Sequence, residues 1–277
     1  MLKSKILPES EYTFKELSWL DIENAWRDAE TITGKVTEIL TDKEVLIVLL
    51  GKSDNGGDIV GILPFSEVTI YPFKYSSNPN RILPLQIATL KNKLIRVKVA
   101  YIKDEYIKLS RKANMLNAIE HLKECEFAFF VVQSLTEKMC FGDIGDGIVG
   151  CISIKNISKS RIANVCERLH KGDKTWTKIL SFNEERQSFF LSYKDVFREY
   201  DPKNYKHGDT IVCTVCTPVD SSHSGYFAEV SPQVSGIVDS NNLTPILAYG
   251  DKIECFIKTT SKNGLKLRYV RHIYEDK

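Results

Sequence analysis

Aromatic and basic side chains are interspersed along one segment of this 277-residue chain. Phe65, Tyr71, Phe73 and Arg81 lie in or beside a run rich in Pro, Asn and Ser. Aromatic rings stack on nucleobases, and Lys and Arg neutralise phosphates, so this mixture suits a single-stranded nucleic acid. The same rings also suit packing of a long loop against a hydrophobic core. The sequence leaves both interpretations open.

Patterns typical of catalytic or metal centres are absent from the sequence. It contains no GxxxxGK[ST] loop, no GxGxxG that opens a helix, no HExxH and no GxSxG. Cys213 and Cys216 form a CxxC spacing, but a strand places two such side chains on opposite faces, and no second Cys or His pair accompanies them. We therefore expect a non-enzymatic protein with no catalytic residue, no metal and no cofactor, and we expect both cysteines to lie in a core.

The positive charge is concentrated in one part of the chain. The formal net charge is only +2, yet residues 31–112 carry 13 Lys and Arg against 8 Asp and Glu. Such a local excess can attract phosphate even in a nearly neutral protein. The start MLKSKILPESEYTF lacks the apolar stretch of a signal peptide, and no run approaches 18 apolar residues. We expect a cytoplasmic protein with reduced cysteines, no membrane contact and a monomeric state.

Two segments have helical periodicity. In the lead-in, Ser18 is a candidate N-cap, and Trp19, Ile22 and Trp26 fall near one helical face. In ANMLNAIEHLKE the apolar positions also recur at helical spacing, and they are Met115, Leu116, Ile119 and Leu122. We predict a lead-in helix and a linker helix.

Three segments repeat one layout of five short β-like runs at a period of roughly 75–90 residues, the size of a small domain. A glycine recurs in the third run at Gly61, Gly150 and Gly236. The fifth run ends at Leu109-Ser110, Leu191-Ser192 and Leu267-Arg268. Five strands with one longer connection before the fourth suit a small Greek-key barrel. We predict an all-β chain with a lead-in over 1–30 and barrels over 31–113, 114–200 (with the linker helix) and 201–277.

These repeats resemble the RNA-binding repeat of the bacterial ribosomal protein S-one family. GILPFSE in the first repeat is similar to the family's G-x-x-P-x-S turn, and GCISIKNIS with LSYK in the second repeat is the strongest match. The resemblance covers about 31–277. It implies three tandem five-stranded OB-fold barrels that bind single-stranded RNA in translation or mRNA handling, through several weak contacts. It also leaves open an alternative, a protein-docking module that binds the ribosome or another protein.

The resemblance implies stacking rings on strand two, a polar or basic residue after the strand-three glycine, and a basic residue on strand five. Lys138, Phe141 and Ser153 fall at such positions in the second repeat, and Phe227 does so in the third. Tyr106 takes the strand-five position of the first repeat. Lys108 and Lys266 follow that position by two residues in their repeats. The predicted RNA-binding residues are Phe65, Tyr71, Phe73, Arg81, Tyr106, Lys108, Lys138, Phe141, Ser153, Lys155, Phe227 and Lys266.

Strand parity gives the orientation of the two strand-two rings. If Glu229 faces solvent, Phe227 faces solvent too and Tyr226 is in the core, because alternate residues of a strand point to opposite sides. Asp143 gives the same argument for Phe141. A role of either ring in the core remains the alternative.

Overall fold

The computed structural model describes residues 2–74, 83–104, 106–159, 162–197, 200–218, 225–231, 233–239, 245–261 and 264–273. Its strands form three closed barrels of five strands each. The strands of the first barrel are β1 (Thr31–Leu40), β2 (Val45–Lys52), β3 (Asp58–Pro64), β4 (Leu94–Lys103) and β5 (Tyr106–Ser110). Those of the second are β6 (Phe127–Leu135), β7 (Met139–Asp143), β8 (Val149–Ser153), β9 (Lys174–Asn183) and β10 (Ser188–Ser192). Those of the third are β11 (Thr210–Pro218), β12 (Gly225–Ser231), β13 (Val234–Asp239), β14 (Lys252–Ser261) and β15 (Gly264–His272).

The first and third barrels share one strand order. The order is β1-β2-β3-β5-β4 in the first and β11-β12-β13-β15-β14 in the third. In both, the third strand pairs in parallel with the fifth, and the other four pairs of neighbouring strands are antiparallel. The predicted all-β class with three five-stranded OB-fold barrels is confirmed.

The recurring glycine and leucine pack against each other where the third strand meets the fifth. A Cβ atom built on Gly61 would lie 2.6 Å from Leu109 Cδ1 and 2.8 Å from its Cγ. A Cβ atom on Gly236 would lie 2.7 Å from Leu267 Cδ1 and 2.9 Å from its Cγ. Both leucines are fully buried. The glycines therefore make room for the leucine that fills each barrel, which is why the pair repeats in the sequence.

Gly61→Ala is expected to lower the free energy of unfolding by about 1–3 kcal/mol, because the added methyl group overlaps Leu109 in a closely packed interior. Urea denaturation followed by circular dichroism measures this loss. Gly57→Ala is the matched control, since a Cβ atom there meets only Ser53 Oγ at 3.3 Å. We expect the control to stay within about 0.5 kcal/mol of the unsubstituted chain. An equal loss in both variants would show that replacing a glycine in itself, and not the contact with Leu109, sets the cost.

The lead-in helix α1 (Trp19–Arg27) begins at the predicted N-cap. The Ser18 side chain accepts a hydrogen bond from the Asp21 backbone N–H, and the Asp21 carboxylate accepts one from the Ser18 N–H. Ile22 and Ala25 are the buried residues of this helix. Trp26, which shares the predicted helical face with Ile22, is 41% exposed. The buried side is centred on Ile22 and Ala25, one turn apart.

After the short helix α2 (Leu85–Ala88), the linker helix α3 (Arg111–Lys123) directly follows β5. The predicted helix is present, and Met115, Ile119 and Leu122 are buried in it. Leu116 is 46% exposed. Arg111 and Asn114 occupy that face as well, so the helix packs through polar and apolar side chains together.

The described chain divides into two compact units. The first consists of Met1–Gln133, Phe141–Cys151 and Lys174–Phe190, and the second of Ser134–Cys140, Ile152–Asp173 and Leu191–Lys277. The first barrel lies in the first unit, the third barrel lies in the second unit, and the residues of the second barrel are divided between the two. The domain boundaries at 31, 114 and 201 stay predictions.

A buried ion pair fixes the N-terminal segment within the first unit. Arg111 is only 6% exposed, and its Nε and Nη2 atoms donate to the two carboxylate oxygens of Glu9 at 2.8 Å each. Its Nη1 donates to the Val68 carbonyl at 2.8 Å. Burial opposes the guanidinium charge, but the charge and hydrogen bonds of Glu9 outweigh that cost and raise the pKa of Arg111. A two-point hydrogen-bonded pair of this kind is the strong form of a salt bridge.

Asp143 at the end of β7 is also buried in the first unit, at 4% exposure. One carboxylate oxygen accepts the Gly145 and Gly147 N–H groups at 2.8 and 3.1 Å. The other accepts the Glu9 N–H at 2.8 Å. Removal from water, followed by repulsion from the Glu9 carboxylate, raises the pKa of Asp143 to about 7. The solvent-facing position assumed for Asp143 was wrong, because the N-terminal segment covers it.

Candidate nucleic-acid interface

An aromatic and a basic side chain share one row on the outside of the third barrel. Phe227 on β12 pairs with Ile237 on β13, and Ile237 pairs with Lys266 on β15. Residues paired across neighbouring strands point to the same side of a sheet. The adjacent Ala228 and Leu267 are buried, so this row faces outward. Lys266 is exposed and Phe227 is half-buried.

Other charged groups lie around this row. The guanidinium of Arg268 lies 4.9 Å from the centre of the Phe256 ring on the neighbouring strand. The Lys258 ammonium forms a 2.8 Å ion pair with Asp239 at the end of β13. Asp239 offsets one of three cations, so the outer surface of β13–β15 retains positive charge. Tyr226 is 3% exposed and belongs to the core of this barrel, as strand parity predicts.

The first barrel has the same row with different side chains. Ile47 pairs with Ile62, Ile62 with Lys108, and Lys108 with Tyr101. Lys108 thus holds the place that Lys266 holds in the third barrel, and Ile47 takes the place of Phe227. Tyr101 on β4 is 45% exposed. Sequence reasoning missed it because the resemblance directs attention to strand two; the run AYIKDEYIK, with rings and lysines on both sides of one turn, was the available signal.

The rings of the first repeat's long loop occupy packed positions. Phe65 and Phe73 are partly buried against the core of the first barrel. The Tyr71 hydroxyl donates to the Gln187 carbonyl at 3.0 Å and accepts the Val149 N–H at 2.9 Å. Burial is the main cause that raises the pKa of Tyr71 to about 12. These positions favour packing over stacking, so the RNA-binding role of the three rings stays a prediction that this geometry does not strengthen. Arg81 lies outside the described residues.

In the second unit, residues of the second barrel bring lysines together. The Ile154 N–H donates to the Lys138 carbonyl at 2.8 Å, and the Lys194 ammonium donates to the Lys155 carbonyl at 2.7 Å. Lys138 and Lys155 are exposed, and Ser153 is half-buried. These contacts place three basic residues near one another, as a phosphate-binding surface requires.

In the first unit, Phe141 on β7 is half-buried. The argument that Phe141 faces solvent assumed that Asp143 faces solvent, and Asp143 is buried. Phe190 on β10 is 36% exposed and precedes Leu191, just as Lys108 precedes Leu109 in the first barrel. Sequence reasoning missed Phe190 because it looked for a cation on strand five. The second barrel therefore offers a ring where the other two offer lysine.

The cysteines and acidic residues form no metal site in the part of the chain that the structure describes. No group of three His, Cys, Asp or Glu side chains there could hold a metal ion. Cys213 and Cys216 are buried, at 2% and 3% exposure, as predicted. Among the described helices, none has the length and apolar composition needed to cross a membrane.

Comparisons with known proteins add to this geometry. No protein-family model matches the chain. It is 27% identical over 225 residues to a small ribosomal subunit protein bS1 homolog of Bacillus cereus, covering 76% of this chain and 56% of that protein. It is 26% identical over 256 residues to small ribosomal subunit protein bS1 of Pseudomonas aeruginosa, covering 86% of this chain and 42% of that protein. The chain thus spans about half the length of these relatives.

A solved structure gives only a weak likeness. It is a multidomain protein with nucleic acid binding domains from Streptococcus pneumoniae, 11% identical, with 90% of this chain and 75% of that chain covered and a TM-score of 0.26. The sequence identity to the two bS1 proteins is higher, and bS1 is the ribosomal protein S-one of the predicted resemblance. That resemblance is confirmed: over most of its length, this chain is similar to bacterial small ribosomal subunit protein bS1.

Proposed function

We propose that this protein binds single-stranded RNA through the outer faces of its barrels and acts in translation or mRNA handling. The observation that carries the proposal is the row Phe227–Ile237–Lys266 on the third barrel. A ring on the second strand and a cation on the fifth, on the same outward side, can hold a base and its phosphate together. The similarity to bS1 proteins supports the same function.

Each barrel binds weakly in this proposal, and the tandem arrangement supplies the affinity. No barrel carries the complete set of rings and cations that the family resemblance implies. Linking several weak sites on one chain raises the effective concentration of each site for the same RNA strand. Phosphate neutralisation provides much of the binding free energy, so affinity depends strongly on salt. The ribosome is a partner under the same proposal, as the names of the relatives suggest.

Fluorescence anisotropy of a labelled single-stranded 20-mer RNA tests the proposal with the whole chain at 50 and 200 mM salt. If three phosphates are neutralised, affinity is expected to fall about 20-fold between the two conditions. Phe227→Ala is expected to weaken binding about 5- to 100-fold through lost stacking. Lys266→Ala is expected to reduce the slope of log affinity against log salt by about 0.7.

Two variants serve as matched controls. Val212→Ala removes an apolar side chain that is 52% exposed on β11, away from the proposed row. Lys203→Ala removes an exposed cation that lies outside the barrel strands. Neither is expected to change RNA affinity by more than about twofold, since neither contacts the row. Absence of binding at 50 mM salt would refute the proposed function.

Protein docking is the second candidate, and one observation on the second barrel favours it. Leu180 on β9 is 45% exposed and Phe190 on β10 is 36% exposed. Both side chains are apolar. At the position of Phe190, strand five of the first barrel carries Lys108 and strand five of the third carries Lys266. Exposed rings with little charge are typical of the centre of a protein interface. If the whole chain fails to bind RNA but associates with ribosomal subunits, and Phe190→Ala abolishes that association, docking is the function.

A further inference from the structure

The hairpin formed by β4 and β5 carries two tyrosines and two lysines in alternation. Tyr101 pairs with Lys108, and Lys103 pairs with Tyr106. Tyr101 and Lys103 are two residues apart on one strand, as are Tyr106 and Lys108 on the other. Side chains two residues apart on a strand point to the same side, and so do paired residues. All four side chains therefore lie on one face of the hairpin, with each ring beside a lysine.

This face is open to solvent. Both tyrosines are 45% exposed, Lys103 is exposed and Lys108 is half-buried. Within the described ranges, no carboxylate forms an ion pair with either lysine. The two tyrosine rings do not belong to the hydrophobic core of the first barrel. The core residues on this hairpin include Ile107 and Leu109.

The arrangement fits the alternating chemistry of a nucleic acid strand. Diagonal neighbours on an antiparallel pair have Cα atoms about 7–8 Å apart, so the two rings are separate and each can take one base. Stacking on an aromatic ring accepts any base, and an adjacent ammonium neutralises the phosphate that joins two bases. The surrounding segment 31–112 has five more basic than acidic residues, which adds a favourable long-range field.

We propose that Tyr101, Lys103, Tyr106 and Lys108 form a binding site for two consecutive nucleotides of single-stranded RNA. This inference rests on the proposed function and gives the first barrel its own way to perform it. Strand two of that barrel carries Ile47 in place of a ring, in the row where the third barrel has Phe227. The stacking rings have moved to the hairpin of strands four and five, while Lys108 keeps the position of Lys266.

Photo-crosslinking of the whole chain tests the site directly. The probe is a 12-mer oligouridine with 5-iodouridine substitutions, and crosslinked peptides are identified by mass spectrometry. We expect crosslinks at Tyr101 or Tyr106. We also expect the double variant Tyr101→Ala/Tyr106→Ala to bind the 12-mer about 10-fold more weakly or worse, through lost stacking. Tyr101→Phe/Tyr106→Phe keeps both rings and is expected to stay within about twofold of the unsubstituted chain.

The outcomes separate this inference from the proposed function. If the chain binds the 12-mer and Phe227→Ala weakens binding, but the double alanine variant binds normally and no crosslink falls on the hairpin, the inference is wrong and the function stands. If the double phenylalanine variant loses as much affinity as the alanine variant, the hydroxyls and not the rings make the contact, and the stacking site is wrong. If the unsubstituted chain does not bind at 50 mM salt, the proposed function itself fails, and the hairpin site fails with it.

Discussion

Arg111→Ala is expected to lower the free energy of unfolding by about 3–5 kcal/mol, the range typical when one partner of a buried ion pair is removed. Arg111 donates to both carboxylate oxygens of Glu9 and to the Val68 carbonyl, and it is almost fully buried. Its removal leaves the Glu9 carboxylate inside the first unit without this counter-charge. Urea denaturation followed by circular dichroism measures the loss.

Three variants test the cause of that loss. Lys112→Ala removes the exposed cation next in sequence and is expected to cost less than about 1 kcal/mol. Arg111→Lys keeps the charge but cannot form the two-point contact with Glu9, so we expect an intermediate loss. The double variant Glu9→Gln/Arg111→Met removes both charges together and is expected to recover much of the stability, because it leaves no unpaired ion of the pair. If Arg111→Ala costs no more than Lys112→Ala, the buried pair contributes little to stability.

Patterns local to one barrel were predictable from the sequence. The five-stranded barrel was predictable from the repeat, in which Gly61 and Leu109 recur as Gly236 and Leu267, and each glycine packs against its leucine in the structure. The N-cap of α1 at Ser18 was equally readable, since a capping side chain acts only three residues away. Such features depend on short spacings or on internal repetition, and the sequence contains both.

Contacts between distant segments were not predictable in the same way. The Glu9–Arg111 pair spans 102 residues and the Glu9–Asp143 hydrogen bond spans 134. Strand parity states which side of a strand Asp143 occupies, but it does not state that another segment covers that side. The sequence likewise left open whether the Tyr71 ring is packed or free to stack, because its hydroxyl bonds to backbone groups more than 70 residues away.

The candidate site was partly predictable. Phe227 and Lys266 were selected separately from the resemblance, and the strand register places them in one row. Tyr101 and Phe190 were missed because the family pattern assigns rings to strand two and cations to strand five. The register of β4 and β5 places Tyr101 beside Lys108, and a search of single sequence positions does not detect such a pair.

The stability of the first unit is expected to fall as pH rises from about 4 to 8 because of Asp143. Burial and the Glu9 carboxylate raise the pKa of this group from 3.8 to about 7. The folded chain then keeps a proton near neutral pH that the unfolded chain releases near pH 4. Where the folded state binds more protons, the free energy of unfolding decreases with rising pH. At about 1.4 kcal/mol per pH unit over this window, the effect is on the order of a few kcal/mol.

Comparison with Asp143→Asn isolates this contribution, because all other titrating groups are common to both chains. Asparagine stays uncharged at every pH, so the stability of the variant does not depend on ionisation at position 143. Its side chain has one oxygen instead of two, so the variant cannot accept the hydrogen bond from the Glu9 N–H in the same way, but this loss is the same at every pH. Urea denaturation at pH 5, 6, 7 and 8 should show the unsubstituted chain losing stability relative to the variant as pH rises. The opposite trend would mean that Arg111 and the three N–H donors hold Asp143 ionised and that its pKa is lowered. Burial and the nearby Glu9 charge would then be the weaker influences, and Asp143 would be a charged partner of Arg111 rather than a neutral acid in the folded first unit.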